Sequence, residues 1–303
     1  MGILTTAHNR IVCTLALLLL LPGISEARPA LALSMPGAVF NDAPSLYATL
    51  DGSRVHYKSY GTGREALVFV HGWTCNMTFW RGQVPAFESR NRVIVIDLPG
   101  HGASDKPKIA YTMDLFARSI EAVMHEAGVD RAVLVGHSMG TPVIREFYRK
   151  YPAKTMALVI VDGPLRPFAD AATIAKFLEP LRGPNYTEAA GGFVDNMLAP
   201  VSSPALRQEI KATMLSVPQY VAVSAMEGMM TALASREEKI NVPVLAIMTK
   251  NWPPDNESGY RGMASNLNYQ IWDGVSHFLM MEKVREFNDA LAAFLTKNGL
   301  FKK

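Results

Sequence analysis

Apolar residues fall along this chain in two patterns. Short unbroken runs rich in β-branched residues predict strands at residues 65–72 (EALVFVHG), 92–100 (RVIVIDLPG), 132–138 (AVLVGHS), 157–164 (ALVIVDGP) and 242–249 (VPVLAIMT), with a further strand at 53–61 (SRVHYKSYG). A strand that is apolar at every position is buried on both faces, as in a parallel sheet covered by helices. Between the runs, apolar residues recur at helical spacing. Phe116, Ile120, Val123, Met124 and Ala127 predict a helix over 112–127, ended by Gly128. Val284, Phe287, Leu291, Phe294 and Leu295 predict another over 281–297. Strand and helix in alternation predict an α/β fold with a mostly parallel, doubly wound sheet. Residues 165–240 break the alternation, with several helix-like stretches and no clear strand. They read as a helical cap inserted between two sheet strands. Its stripe Met226, Met229, Met230 and Leu233 fits core packing, and it also fits an adaptable apolar pocket wall.

The amino terminus needs a separate reading. Arg10 precedes the apolar run 11–21 (IVCTLALLLLL), Pro22 and Gly23 break it, and small residues follow. This is the pattern of a signal peptide over 1–27, with a cut after 32 as the alternative. It implies export to the periplasm or the medium, and an uncleaved anchor is the other reading. Residues 28 to about 43 read as a linker, 44–164 as the first part of the core and 241–303 as the second. No other stretch is long and apolar enough to cross a bilayer. Net charge is +3, and no dense Lys/Arg run is interleaved with aromatics, which leaves no nucleic-acid footprint. Of the two cysteines, Cys13 lies in the leader and Cys75 would stand alone in the mature chain, so no internal disulfide is expected.

The sharpest chemical signal is Gly136-His137-Ser138-Met139-Gly140, which follows a buried strand and precedes a helix-like stretch (TPVIREFYRKY). A tight strand-to-helix turn lifts a serine hydroxyl out for attack, and the helix amino terminus favours the negative charge that develops. A serine nucleophile needs a base. His277, in a loop between the strand-like LNYQIW and the last helix, stands where an open α/β sheet places its functional loops. His71, His101 and His137 lack the Cys or carboxylate spacing of a metal cage, so neither metal nor cofactor is expected.

Taken together, VFVHGW (68–73), DLPGHGASDKP (97–107), VGHSMG (135–140), LVIVDGP (158–164) and GVSHFLMMEK (274–283) resemble the α/β-hydrolase superfamily, in its branch of serine esterases with a helical cap. The resemblance implies a catalytic triad of Ser138, His277 and an acid, and an oxyanion hole built from the backbone N–H groups of Trp73 and Met139. The acid departs from the family pattern. The usual position after the strand at 242–249 holds Thr249-Lys250-Asn251-Trp252. Asp162, at the end of the preceding strand, and Asp255, a few residues further on, are the candidates, and Asp162 is the better placed. Cys75 lies near the oxyanion loop without a base and reads as structural. The expected activity is cleavage of a small, apolar carboxylic ester. Acyl transfer, lactone or C–C bond hydrolysis and perhydrolysis use the same triad, and a ligand-binding sensor on this scaffold is a further alternative. Serine where an aspartate would stand argues against epoxide hydrolase and haloalkane dehalogenase chemistry, whose covalent alkyl-enzyme needs a carboxylate nucleophile. Trp73, Phe79, Trp80 and the cap methionines are the expected walls of an apolar acyl pocket.

Overall fold

In a computed structural model, the described residues are 40–167, 170–198, 203–233, 239–253 and 256–301. The expected leader 1–27, its alternative cut after 32, Cys13 and Asp255 lie outside them. The chain folds around one eight-stranded sheet in the order β1-β2-β4-β3-β5-β6-β7-β8. The strands are β1 (Leu46–Leu50), β2 (Ser53–Tyr60), β3 (Glu65–Val70), β4 (Arg92–Ile96), β5 (Arg131–His137), β6 (Thr155–Val161), β7 (Val244–Thr249) and β8 (Leu267–Trp272). The β1–β2 and β2–β4 pairings are antiparallel and the rest are parallel. Nearly every residue of β3 to β7 is buried, so both faces of the sheet are covered.

Register decides where function can sit. Val70 pairs with Gly136, His137 with Val161, and Val161 with Ile247. Ser138 N–H continues the ladder to Val161 O at 2.9 Å, and Asp162 N–H to Ile247 O at 2.9 Å. The loops after β3, β5, β6 and β7 therefore leave the sheet at one level, at its carboxyl edge. Strand order reverses between β4-β3 and β3-β5, and the loops that diverge at such a switch point leave a crevice for a ligand.

Two helices of the core follow from their sequence signals. Helix α1 (Met113–Glu126) is capped by Thr112, whose hydroxyl accepts from Leu115 N–H at 3.1 Å. Helix α2 (Gly140–Lys150) starts directly after Ser138 and Met139. Between β6 and β7 lie α3 (Ala171–Arg182), α4 (Tyr186–Met197), α5 (Pro204–Leu215) and α6 (Gln219–Leu233). Helix α6 is tied to the core by Trp73 Nε1 donating to Ala222 O at 2.7 Å and Tyr111 N–H donating to Ser224 Oγ at 2.9 Å. Helices α7 (Asn256–Met263) and α8 (Val284–Lys297) complete the order.

Three details depart from the sequence reading. The strand expected over 92–100 ends at Ile96, because the Asp97 carboxylate accepts from Met77 N–H, Ala103 N–H and His56 Nδ1 and turns the chain there. The helix expected over 281–297 is a short turn at Leu279–Glu282 followed by α8, because Glu282 reaches back to Ser276 N–H and Oγ. The linker expected to run to about 43 already packs at Phe40, whose ring is buried and whose carbonyl accepts from Tyr60 Oη at 2.8 Å and Lys58 Nζ at 3.0 Å.

Candidate active site

Ser138 sits in the turn from β5 into α2 with φ +52°, a left-handed conformation that costs a non-glycine residue strain. The neighbouring glycines make the turn feasible. A Cβ on Gly136 would lie 2.5 Å from Gly140 O, and one on Gly140 would lie 2.6 Å from Val70 O. The turn holds because its backbone bonds are made, Ser138 N–H to Val161 O and Thr141 N–H to Ser138 O at 2.9 Å.

His277 is held from three sides. Its Nδ1 lies 2.6 Å from Asp162 Oδ2. A carboxylate only accepts, so Nδ1 carries the proton and Nε2 is left with a lone pair. Its backbone N–H donates to Met197 O at the end of α4, at 3.2 Å. Its carbonyl accepts from His137 Nε2 at 2.9 Å, and the two imidazole rings lie 4.7 Å apart. Ser138 and His277 line the same cavity, and among the described residues no hydrogen bond joins their side chains. Serine–histidine bonds of this kind are often long in a free protein and tighten with substrate.

Asp162 is 2% exposed and also adopts a strained left-handed conformation, φ +45°. Its Oδ1 accepts from Thr249 N–H and from Trp252 Nε1, each at 2.7 Å. Burial opposes ionisation, but the bond and charge of His277 and the Thr249 and Trp252 donors outweigh it and hold the carboxyl below its ordinary value. The segment after β7, where the family pattern would place the acid, supplies donors to the Asp162 carboxylate one strand earlier. Asp255, the other candidate, lies outside the described residues.

The two backbone donors that the resemblance implies, Trp73 N–H and Met139 N–H, belong to buried residues. Gly72 O accepts from His71 Nδ1 at 2.8 Å and from Cys75 N–H at 3.2 Å. His71 Nε2 accepts from Leu98 N–H at 3.0 Å, which leaves the proton on Nδ1. These bonds hold the Gly72 carbonyl, and in a trans peptide the N–H of Trp73 points opposite to it. Among the described residues neither Trp73 N–H nor Met139 N–H meets a protein acceptor. Buried amides without partners are rare and favour a ligand acceptor.

The cavity over Ser138 encloses about 380 Å³. Its walls are Trp73, Phe177, Phe193, Trp252, Phe278 and five methionines, Met197, Met214, Met226, Met229 and Met230. No Lys or Arg is among the described lining residues. Phe79 and Trp80 do not line it. The turn at Met77–Trp80 sends both rings into the core, Phe79 against Phe278 and Trp80 against Phe69 and Phe287. Cys75 does line it, buried, with its thiol against Trp73 O at 3.4 Å, and burial pushes the thiol's pKa well up. His137 is pushed down to about 3, first by burial and then by the neighbouring His277, so it is a neutral imidazole that donates through Nε2. His101 is also buried, with Nδ1 against Pro99 O at 3.0 Å and its ring 5.0 Å from that of His71. Met197 and Met214 are among the cap methionines expected at the pocket, whereas Thr249, Trp252, Phe177 and Phe193 carried no sequence signal that singled them out. They reach the site from a strand end, a loop and two helices remote from Ser138 in the chain. No helix of the described residues is long and apolar enough to cross a membrane.

Comparison with known proteins agrees with this architecture. The model of the alpha/beta hydrolase fold family matches residues 65–245, more than half of the chain. A Burkholderia vietnamiensis 2-hydroxy-6-oxononadienedioate/2-hydroxy-6-oxononatrienedioate hydrolase is 41% identical over 115 residues, 36% of this chain and 40% of that protein. Mouse epoxide hydrolase 3 is 35% identical over 116 residues, 37% of this chain and 32% of that protein. The match thus spans well under half the length of these curated relatives. Among solved structures, Est816, described as an N-acyl homoserine lactone degrading enzyme, is 27% identical with a TM-score of 0.70, covering 82% of this chain and 100% of that one. A thermophilic esterase is 28% identical with a TM-score of 0.68, covering 84% and 98%. From strand order to family model, the chain belongs to the alpha/beta hydrolase fold family.

Proposed function

We propose that this protein is a serine hydrolase that cleaves neutral, apolar carboxylic esters through an acyl-enzyme on Ser138. The observation that carries the reading is His277, locked by Asp162 in the tautomer that leaves Nε2 basic, in one apolar cavity with a strained Ser138. His277 Nε2 takes the Ser138 proton as Oγ attacks the carbonyl carbon. The oxyanion forms against the N–H groups of Trp73 and Met139, a contribution of about 2.7–4 kcal/mol per donor. His277 then gives its proton to the departing alcohol oxygen, and water, deprotonated by the same nitrogen, releases the acid. Asp162 keeps the ring oriented and stabilises the imidazolium. Helices α3 to α6 act as the cap and wall off the acyl chain.

The likeness to a lactone-degrading enzyme and to an esterase supports ester or lactone cleavage. Two other relatives fit this site less well. The dienedioate of the Burkholderia enzyme is a dianion, and the cavity offers no described Lys or Arg to receive it. Epoxide opening through an alkyl-enzyme needs a carboxylate where this chain has Ser138. The basic-then-apolar amino terminus supports export, with cleavage after 27 or 32. Hydrolysis of p-nitrophenyl esters from acetyl to dodecanoyl tests the function. The expected result is turnover that peaks at a medium chain and disappears in Ser138→Ala. No wild-type turnover above the Ser138→Ala background with any ester or lactone would overturn it in favour of a binding protein.

A further inference from the structure

A second cleft meets the first at His277. It also encloses about 380 Å³, and it shares Asp162, Met197, Trp252 and His277 with the apolar cavity. Trp252 and Met197 therefore face both spaces, with Trp252 pinned by Nε1 to Asp162 at 2.7 Å. The linings differ in kind. Beyond the shared residues, the cleft is lined by Asn196, Asn251, Thr249 and Pro253, and Ser138 is not part of it. The Asn196 and Asn251 side chains are exposed and make no hydrogen bond within the described protein. No Lys or Arg lines the cleft among the described residues, and neighbouring Lys250 is paired with Asp273 at 2.8 Å.

Reaction geometry divides the substrate between the two spaces. The carbonyl carbon bonded to Ser138 carries two groups, the acyl chain and the leaving oxygen. His277 Nε2 must protonate that oxygen as the C–O bond breaks, so the leaving group lies on the His277 side. The apolar cavity, which contains Ser138, is left to the acyl chain.

We propose that the second cleft is the leaving-group subsite, and that it takes a neutral alcohol bearing further hydroxyl or amide groups that hydrogen-bond the carboxamides of Asn196 and Asn251. The inference rests on the serine hydrolase reading. The substrate class is thereby narrowed to a medium apolar acyl chain on a polar, uncharged head. An anionic head has no counter-charge there, and a purely alkyl head leaves both carboxamides to water.

Two esters with one acyl chain test it, 1-monooctanoylglycerol and ethyl octanoate, followed in a pH-stat below their aggregation limits. The wild type is expected to prefer the glyceryl ester in kcat/KM. The Asn196→Ala/Asn251→Ala double variant is expected to lower the ratio of glyceryl to ethyl kcat/KM about tenfold, the range for two lost neutral hydrogen bonds. General damage to the fold lowers both rates and leaves that ratio alone. Turnover of both esters with a ratio that the double variant does not change would overturn the subsite and leave the hydrolase standing. Turnover of neither ester by the wild type would overturn the hydrolase reading and the subsite with it.

Discussion

The Asp162→Asn exchange isolates the role proposed for the acid with little change in shape. In the native protein Oδ1 accepts from Thr249 N–H and Trp252 Nε1, and Oδ2 accepts from His277 Nδ1. A carboxamide has one acceptor oxygen, so it must choose. With its oxygen toward Thr249 and Trp252 it keeps two buried bonds and presents N–H₂ to His277. With its oxygen toward His277 it strands two donors at about 1–3 kcal/mol each. The first orientation wins, and His277 answers by accepting at Nδ1 and moving its proton to Nε2. That nitrogen then no longer takes the proton of Ser138. Holding the histidine in the wrong tautomer costs about 10⁴ in kcat, which is about 5.4 kcal/mol of transition-state stabilisation. Initial rates on p-nitrophenyl butyrate, with the thermal midpoint as a folding control, read this directly. Asp255→Asn run in parallel is expected to stay within about threefold of wild type, well under 1 kcal/mol. An Asp162→Asn variant that keeps a tenth or more of wild-type kcat would refute the reasoning, and a large loss in Asp255→Asn would transfer the role to Asp255.

Three further outcomes follow from the same contacts. In Gly163→Ala the new Cβ would lie 2.1 Å from Thr141 Oγ1 and 2.6 Å from Ser138 O, a backbone atom of the elbow, so stability falls by about 1–3 kcal/mol and kcat drops with it, as thermal melts and ester assays would show. His101 and His137, buried and pushed down to about 3, stay neutral in the folded protein, while the unfolded chain takes up protons below 6.5. Each therefore removes about 1.4 kcal/mol of stability per pH unit as pH falls from 6.5 toward 3, and urea midpoints that hold steady or rise from pH 7 to pH 4.5 would contradict this. Asp97 and Asp162, with lowered pKa, add their own loss only below the ordinary carboxyl value of 3.8, in the same direction. Iodoacetamide at pH 8 is expected to leave esterase activity intact, because the Cys75 thiol is buried and shifted away from the thiolate, and rapid inactivation would show the thiol to be accessible.

Much of the fold was legible because β3 to β7 are apolar at consecutive positions, a pattern that a two-face-buried strand demands. Strand β1 was not, since LYATL is an antiparallel edge beside a stretch that read as linker, with one buried residue in five. Ser138 and His277 stood out because an elbow and a late loop have local signatures. The choice between Asp162 and Asp255 leaned on strand ends, but the contact that brings Asp162 to His277 spans 115 residues and depends on the β6–β7 register. Trp252 and Thr249 as donors to Asp162 were beyond sequence reasoning for the same cause. Proximity in the chain misled at Phe79 and Trp80, which follow the loop after β3 but turn inward, while Phe177 and Phe193 reach the cavity from α3 and α4 because of how those helices pack.

The most direct test of the central claim is labelling with a fluorophosphonate, followed by peptide mass mapping and residual ester hydrolysis. A single stoichiometric adduct on Ser138, with activity lost in proportion to labelling, is the predicted result. Absence of an adduct, an adduct elsewhere, or ester turnover that survives full modification of Ser138 would contradict it.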